Sequence, residues 1–470
     1  MAPTDGRNQR SGYSDDRRRL PSLDEVLPDK KSVDTILERL DTHGVNRRQL
    51  VKLTAATLGT AAVGGLARGT TRAVAAIPRK TARLANIIVI ANSYDTVLSH
   101  AGRQTAKLLG LAAYAETDIE SDPVKSANAA AGYVARGFNM IWVGGADGSE
   151  VRPTEDACKK AKAYHSQMWA AGPWFMPVDA SEYYSAFWDL HDPSNTYKAT
   201  KAMLQELSRR LGGKEGRAFH ISGQVGGSLY YLRRAGVLQA FAEFPTIKLV
   251  GELPGFWGPV QAKKATEDLV GRHGKPDAIA SSNDGMLTGI LSAVEGLGYK
   301  PGEDVLLSGQ DGNPDILEAI RDGRAFSTTF HGPFTFAVQP VTRMFDLLNG
   351  VGSFSPVERQ MFVDGIVVTQ KNVGGFLKRY YGGGSKVLPF DPRRISRLLR
   401  PKDWDPQIQL TPIDIEDYFK VAGVKKPKSY RFPAAYVAAK KRGDFAKVTQ
   451  LYAKHYRIKL DDFTFRGVRV

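Results

Sequence analysis

Cysteine is nearly absent from this chain. Cys158 stands alone among 470 residues, so no internal disulfide can form and core packing must hold the fold. The eight histidines are scattered. No Cys/His cluster has metal-ligand spacing, and G-x-S-x-G, H-E-x-x-H and P-loop patterns are missing too. The glycine-rich Gly223-Gln224-Val225-Gly226-Gly227 departs from the dinucleotide fingerprint. Hence no catalytic residue, metal ligand or cofactor site is assigned, and enzyme chemistry is not expected. Disorder is excluded by content: 42% hydrophobic and 10% aromatic residues suit a packed core. The length accommodates two or three domains of ~100–200 residues.

What is present begins with Asn46-Arg47-Arg48-Gln49-Leu50-Val51-Lys52. An arginine pair precedes a mildly apolar stretch, Leu53 to Leu66, and then Ala73-Val74-Ala75, a small-x-small cleavage pattern. The stretch falls short of the ~20 apolar residues of a membrane span. This layout predicts a twin-arginine export signal over residues 1–75, a mature start near Ala76 and a periplasmic location. No cysteine lies at that mature start, which argues against a lipoprotein.

The net charge of +16 is unevenly placed. Residues 1–75 carry 13 Lys/Arg and 9 Asp/Glu, residues 76–377 carry 30 and 31, and residues 378–470 carry 22 and 9. The body is neutral and the C-terminal segment basic. A nucleic-acid binder would charge its recognition domain instead, so nucleic acid is not an expected partner.

From Leu84 onward, short apolar strands alternate with helical stretches. Strands are predicted at 85–91, 139–143, 173–178, 218–222, 247–250, 278–281 and 304–309. Helices are predicted at 99–111, 154–169, 194–211, 228–243, 259–273, 285–297 and 313–322. The alternation predicts α/β architecture: two doubly wound parallel-sheet lobes with a cleft between them. Ligands of such sheets sit beyond the strands' carboxyl ends. The aromatic segment Asp179 to Asp192, with Tyr183, Tyr184, Phe187 and Trp188, reads as a wall of that cleft or a packed flap. Residues 378–470 break the alternation. Gly382 to Ser385 reads as a linker to a small, mostly helical appendage. Thr411-Pro412-Ile413-Asp414 reads as a helix start with Thr411 as cap, and helices are predicted at 434–442 and 445–456 around Gly443-Asp444.

Three stretches then stand out in order: Ser281-Ser282-Asn283-Asp284-Gly285-Met286, Ser308-Gly309-Gln310-Asp311-Gly312-Asn313-Pro314, and Ile316-Leu317-Glu318-Ala319-Ile320-Arg321-Asp322-Gly323. Together they resemble the type I periplasmic binding proteins of the ribose-binding class, over roughly Leu84 to Val373. The resemblance implies a solute-binding component that captures a sugar or sugar-like polyol and delivers it to an ABC permease. A ligand sensor presenting to a receptor kinase is the alternative. Related repressors carry an N-terminal DNA-binding module where this chain has its export-signal pattern.

The resemblance implies ligand contacts at Asn283 and Asp311, and at a clamping arginine, Arg233 or its neighbour Arg234. It further implies Asp179, followed by Ala180 where the family often has a basic residue, together with Tyr94, Asp95 and His331. Trp257 suits a ring that stacks on a sugar's C–H face. Asn offers a donor and an acceptor and a carboxylate accepts from paired hydroxyls, which is what a sugar presents. Crossings near 191–193, 329–332 and 361–364 divide the chain into lobe one (84–191 and 331–361) and lobe two (192–330 and 362–373). The basic segment 378–470 is expected to meet an anionic envelope surface, or more simply to cover part of a lobe.

Overall fold

Buried strands, rather than surface helices, set the architecture of the computed structural model. It describes residues 81–89, 93–225, 227–383, 387–464 and 467–469. The expected export signal, and Gly384 and Ser385 of the expected linker, lie outside the described residues.

Lobe one is built on β1 (Arg83–Ile88), β2 (Ala113–Asp118), β3 (Met140–Gly144), β4 (Tyr164–Met168) and β5 (Tyr184–Leu190). With β11 (Gln360–Val363) and β14 (Leu410–Pro412) they form a seven-stranded sheet of order β14-β11-β5-β4-β3-β1-β2. Its pairs are parallel except β14 on β11. Helices α1 (Ser93–Leu109), α2 (Pro123–Ala135) and α3 (Val151–Ala161) cover it, α1 packing against the later α9 (Pro333–Leu348).

Lobe two follows with α4 (Asp192–Leu211), β6 (Gly216–Ser222), α5 (Ser228–Ala242), β7 (Ile247–Pro254), α6 (Pro259–His273), β8 (Ala278–Ser281), α7 (Asp284–Gly296), β9 (Leu306–Ser308) and α8 (Pro314–Arg321). The parallel sheet runs β7-β6-β8-β9, and β10 (Thr328–Phe330) pairs antiparallel with β12 (Ile366–Val368) beside it. The chain passes between the sheets after Leu190, after Phe330 and after Val363.

Three local expectations are corrected. The helix predicted to reach Trp169 ends at Ala161, where Lys162 turns left-handed (φ 55°). Beyond it lies β4, Tyr-His-Ser-Gln-Met, polar yet buried. Its side chains find internal partners: His165 Nε2 meets Glu155 Oε2 at 2.9 Å, Ser166 Oγ donates to the Ala186 carbonyl, and Gln167 Nε2 donates to Glu150 Oε1 at 2.7 Å. Second, 173–178 is no strand but a turn leading into a short 3-10 segment, Pro177–Asp179. Third, Tyr184, Phe187 and Trp188 are neither wall nor flap. They belong to β5, a central strand buried on both faces, which is why its sequence does not alternate.

The C-terminal segment carries the expected helices, but it packs into the body rather than standing apart as an appendage. Thr411 is in β14 at the sheet edge, registered with Phe362. The helix cap is Asp414, whose carboxylate accepts from the Glu416 N–H ahead of α11 (Ile415–Val421). Helices α12 (Ala434–Lys441) and α13 (Asp444–His455) follow, around a left-handed Gly443 (φ 70°). Leu388, Phe390, Trp404, Ile408 and Tyr436 share one continuous core with Met140, Trp188 and Phe336 of lobe one. Gln339 Nε2 donates to the Pro406 carbonyl at 2.7 Å, and Arg397 bonds Glu358 Oε1 at 2.6 Å. Most of the segment's described Lys and Arg side chains nevertheless stay exposed at the surface.

Phe390→Ala should therefore destabilise the whole molecule, by about 3–5 kcal/mol for a fully buried ring. Urea unfolding followed by tryptophan fluorescence should show one transition moved to lower denaturant. An early, separate transition with the main one unmoved would mean that the segment folds alone.

Candidate functional site

The turn after β9 carries the most constrained backbone at the cleft. Asp311 adopts φ 124°, a conformation that side-chain-bearing residues avoid. Its N–H is held by the Thr329 carbonyl at 3.0 Å. The flanking glycines each have a reason. A Cβ on Gly309 would come within 2.2 Å of Asp284 Oδ1, and one on Gly312 within 2.3 Å of the Phe330 ring. Their absence lets Asp284 reach in and accept from the N–H groups of Gly312 (2.7 Å) and Asn313 (2.9 Å), and from Thr328 Oγ1. Burial pushes the Asp284 carboxyl upward, as does neighbouring Asp311, against those hydrogen bonds.

Arg233, on α5, lies at the centre of what this turn presents. Its Nε donates to Asp192 Oδ2 at 3.0 Å, Nη2 to Asp311 Oδ1 at 3.0 Å, and Nη1 to the Ser282 carbonyl at 2.6 Å. Burial works against its charge, but Asp192 and Asp311 outweigh that and raise its pKa. Asp192 is pushed up by burial and pulled back by Arg233. Gln310 Nε2 donates to Asp192 Oδ1, and Thr196 Oγ1 donates to Gln310 Oε1. Arg234 points elsewhere and pairs with Glu252 near the surface. Of the two candidates, Arg233 is the one the fold brings to the cluster.

Lobe one contributes the other side. His331, fully buried where the chain returns from β10, sits 3.2 Å from Asp311 Oδ1 through Nε2 and 3.3 Å from the Tyr94 hydroxyl through Nδ1. A carboxylate only accepts, so Nε2 donates to it, and the Tyr94 hydroxyl, which can either donate or accept, partners Nδ1. Asn313 Nδ2 donates to Ser93 Oγ at 3.2 Å, which joins the first turn of α1 to the start of α8 across the cleft. The Tyr94 ring is 6.0 Å from Trp169, and Trp169 is 5.9 Å from Phe336. Asp95 is buried directly behind Tyr94 in the first turn of α1.

Trp257 closes the lobe-two side, half-buried, with the Arg233 guanidinium 5.5 Å from its ring centre. It follows Phe256 in a left-handed pair (φ 51° and 64°). A Cβ on Gly223 would fall 2.0 Å from its indole, so that glycine makes room for the ring. Asn283 stands beside it, capping α7 through an acceptor bond from the Met286 N–H at 2.8 Å. Its Nδ2 reaches the Trp257 carbonyl at a long 3.4 Å.

Asp179 is the residue the fold does not bring in. It lies before β5, at the amino ends of the strands, and its carboxylate accepts from the Met176 N–H and the Tyr430 hydroxyl. The shift of the strand to 164–168 puts Trp169 at the carboxyl end where a carboxylate was expected. Asp192, Gln310, Asp284 and Asn313 were overlooked as site residues. Three of them stand inside the two polar motifs, and the fourth opens the helix after a crossing. Among the described residues no His/Cys/Asp/Glu group is arranged to hold a metal ion.

Residues 87–351 match the family described as "periplasmic binding protein domain". The chain belongs to the periplasmic binding protein family. Its relatives include a D-apiose import binding protein of Paraburkholderia graminis, 25% identical over 63% of this chain and 90% of that one. The galactofuranose-binding protein YtfQ of Escherichia coli is 30% identical over 25% of this chain, an alignment spanning 38% of that protein. Among solved structures, a twin-arginine translocation pathway signal protein from Burkholderia phytofirmans superposes with a TM-score of 0.60 at 21% identity, covering 66% of this chain and 95% of that one. Two-thirds of this periplasmic binding protein thus account for nearly all of that neighbour.

Arg233→Met should leave Asp192 and Asp311 buried without a counter-charge and lower unfolding stability by about 3–5 kcal/mol. Arg234→Met, at a partly exposed pair, should cost under ~1 kcal/mol. Equal losses in urea titrations of the two variants would contradict this reading of the cluster.

Proposed function

We propose that this protein is an exported solute-binding protein that captures a sugar or sugar-like polyol between its lobes and delivers it to an ABC importer. The observation that carries the reading is the convergence of Arg233, Asp311, His331, Tyr94 and Asn283 at the strand tips, flanked by Trp257 and Trp169. Hydroxyl groups need charged acceptors and donors in a fixed array, and the sugar's C–H face needs a ring. Two or three charge-assisted bonds plus a stacked ring reach ~8 kcal/mol, a micromolar dissociation constant. The names of the relatives, which speak of galactofuranose and of D-apiose import, support the same ligand class. In this reading residues 1–75 direct the folded protein through the twin-arginine route to the periplasm, and no reaction is catalysed. Association of residues 378–470 with an anionic envelope surface is an added part of the proposal, supported by their charge alone.

A thermal-shift panel of aldopentoses, furanosides, branched sugars and polyols at millimolar concentration tests it. At about a hundredfold excess over the dissociation constant a true ligand stabilises by ~2.7 kcal/mol, a rise of several degrees in Tm. No rise with any hydroxylated solute would overturn the reading.

A further inference from the structure

The C-terminal segment touches both lobes, close beside the chain crossings but through side chains that are not part of them. It leaves lobe two at α10 (Val373–Phe376) and the π turn Leu377–Tyr381. There the Tyr381 hydroxyl donates to the Gly312 carbonyl of lobe two at 2.9 Å, while its ring lies 5.7 Å from Phe334 at the start of α9 in lobe one. Residues 392–394 then run against α1 and α9, and β14 seals the edge of the lobe-one sheet.

From that edge α11 turns back and packs on α5 of lobe two. Tyr418 is its central residue and is buried. Its ring sits among lobe-one aromatics, 5.9 Å from Phe187 and 6.0 Å from Phe362. Its hydroxyl donates to Asp189 Oδ2 of β5 at 2.8 Å and lies 3.2 Å from Ser228 Oγ, the first residue of α5. One oxygen therefore bonds a carboxylate of lobe one and a hydroxyl of lobe two. Just beyond α11, the Val424 carbonyl accepts from Trp174 Nε1 of lobe one at 3.1 Å, and Phe419 stacks on Trp174 at 4.9 Å. The Tyr231 ring of α5 lies beside Gly423.

We propose that residues 377–383 and 387–424 act as a strap that holds the two lobes in the closed arrangement, pinned at Tyr418, and that the cleft opens only when α11 lets go of α5. Rotation of lobe two about the crossings carries α5 and Ser228 away from β5 and Asp189. The shared hydroxyl cannot follow both. Release is local, because α11 has seven residues and the following Lys425 to Ser429 are exposed chain that gives it slack. The strap's role in solute capture rests on the function proposed above, but its effect on lobe geometry does not.

Double electron–electron resonance on the full chain tests it, with spin labels at Val124→Cys on α2 and Val260→Cys on α6. These positions are exposed, one on each lobe, and the native Cys158 is buried. With no sugar added, the parent should give one narrow interlobe distance. Tyr418→Phe keeps the ring and removes the shared hydroxyl, and should raise the open-to-closed ratio roughly fivefold to tenfold, the worth of one or two buried hydrogen bonds. Tyr418→Ala should raise it further. A parent that already samples a broad, open distribution would overturn the proposal. So would Tyr418→Phe with a parental distribution and parental circular dichroism, whether or not Tyr418→Ala folds. A failed sugar panel leaves these readouts unchanged, so the strap and the ligand class fail separately.

Discussion

A guanidinium taken out of water must be matched where it lies, and Arg233 imposes that demand on the centre of this molecule. Its two carboxylates come from different places. Asp192 opens the helix after the chain leaves β5, and Asp311 tips the strand-end turn of lobe two. The ion cluster thus ties a crossing between lobes to the surface that faces the cleft. Removing the charge strands two acids, and removing either acid leaves an under-compensated cation. The left-handed Asp311, the glycines around it and the Asp284 carboxylate beneath all serve to present one acid to one arginine.

The same logic extends outward through His331, which links Asp311 to Tyr94 of lobe one. Polar groups at the tips are oriented before any solute arrives, so little ordering is left for binding to supply. Aromatic rings flank the polar centre on both sides, Trp257 from lobe two and Trp169 with Tyr94 and Phe336 from lobe one. The C-terminal segment adds an unusual constraint to this frame. It supplies an edge strand and shared core to lobe one and lays a helix on lobe two, so the lobes are not free to swing on their crossings alone.

Local patterns revealed some of this and hid the rest for physical reasons. The apolar strands of lobe two and the helices between them follow hydropathy closely, because both faces of that sheet are covered by helices. The Asn283 and Asp311 turns are legible because glycines mark them. β4 is hidden because its burial is supported by hydrogen bonds to Glu155, Glu150 and the Ala186 carbonyl, which hydropathy does not register. Losing β4 moved the expected strand onto 173–178 and carried Asp179 with it to the wrong end of the sheet. β14 is hidden because three residues gain strand geometry only from β11, some fifty positions earlier in the chain. Gln310 stands inside a marked turn and Asp192 at an expected crossing, but the importance of each lies in the neighbour it meets across the fold.

If a hydroxylated solute lodges against the Asp311 turn, native mass spectrometry of the purified full chain shows it most directly. The expected result is one small polyhydroxylated adduct per chain, retained under gentle ionisation and lost in Asp311→Ala. An adduct that persists undiminished in the variant would locate binding elsewhere and contradict the account.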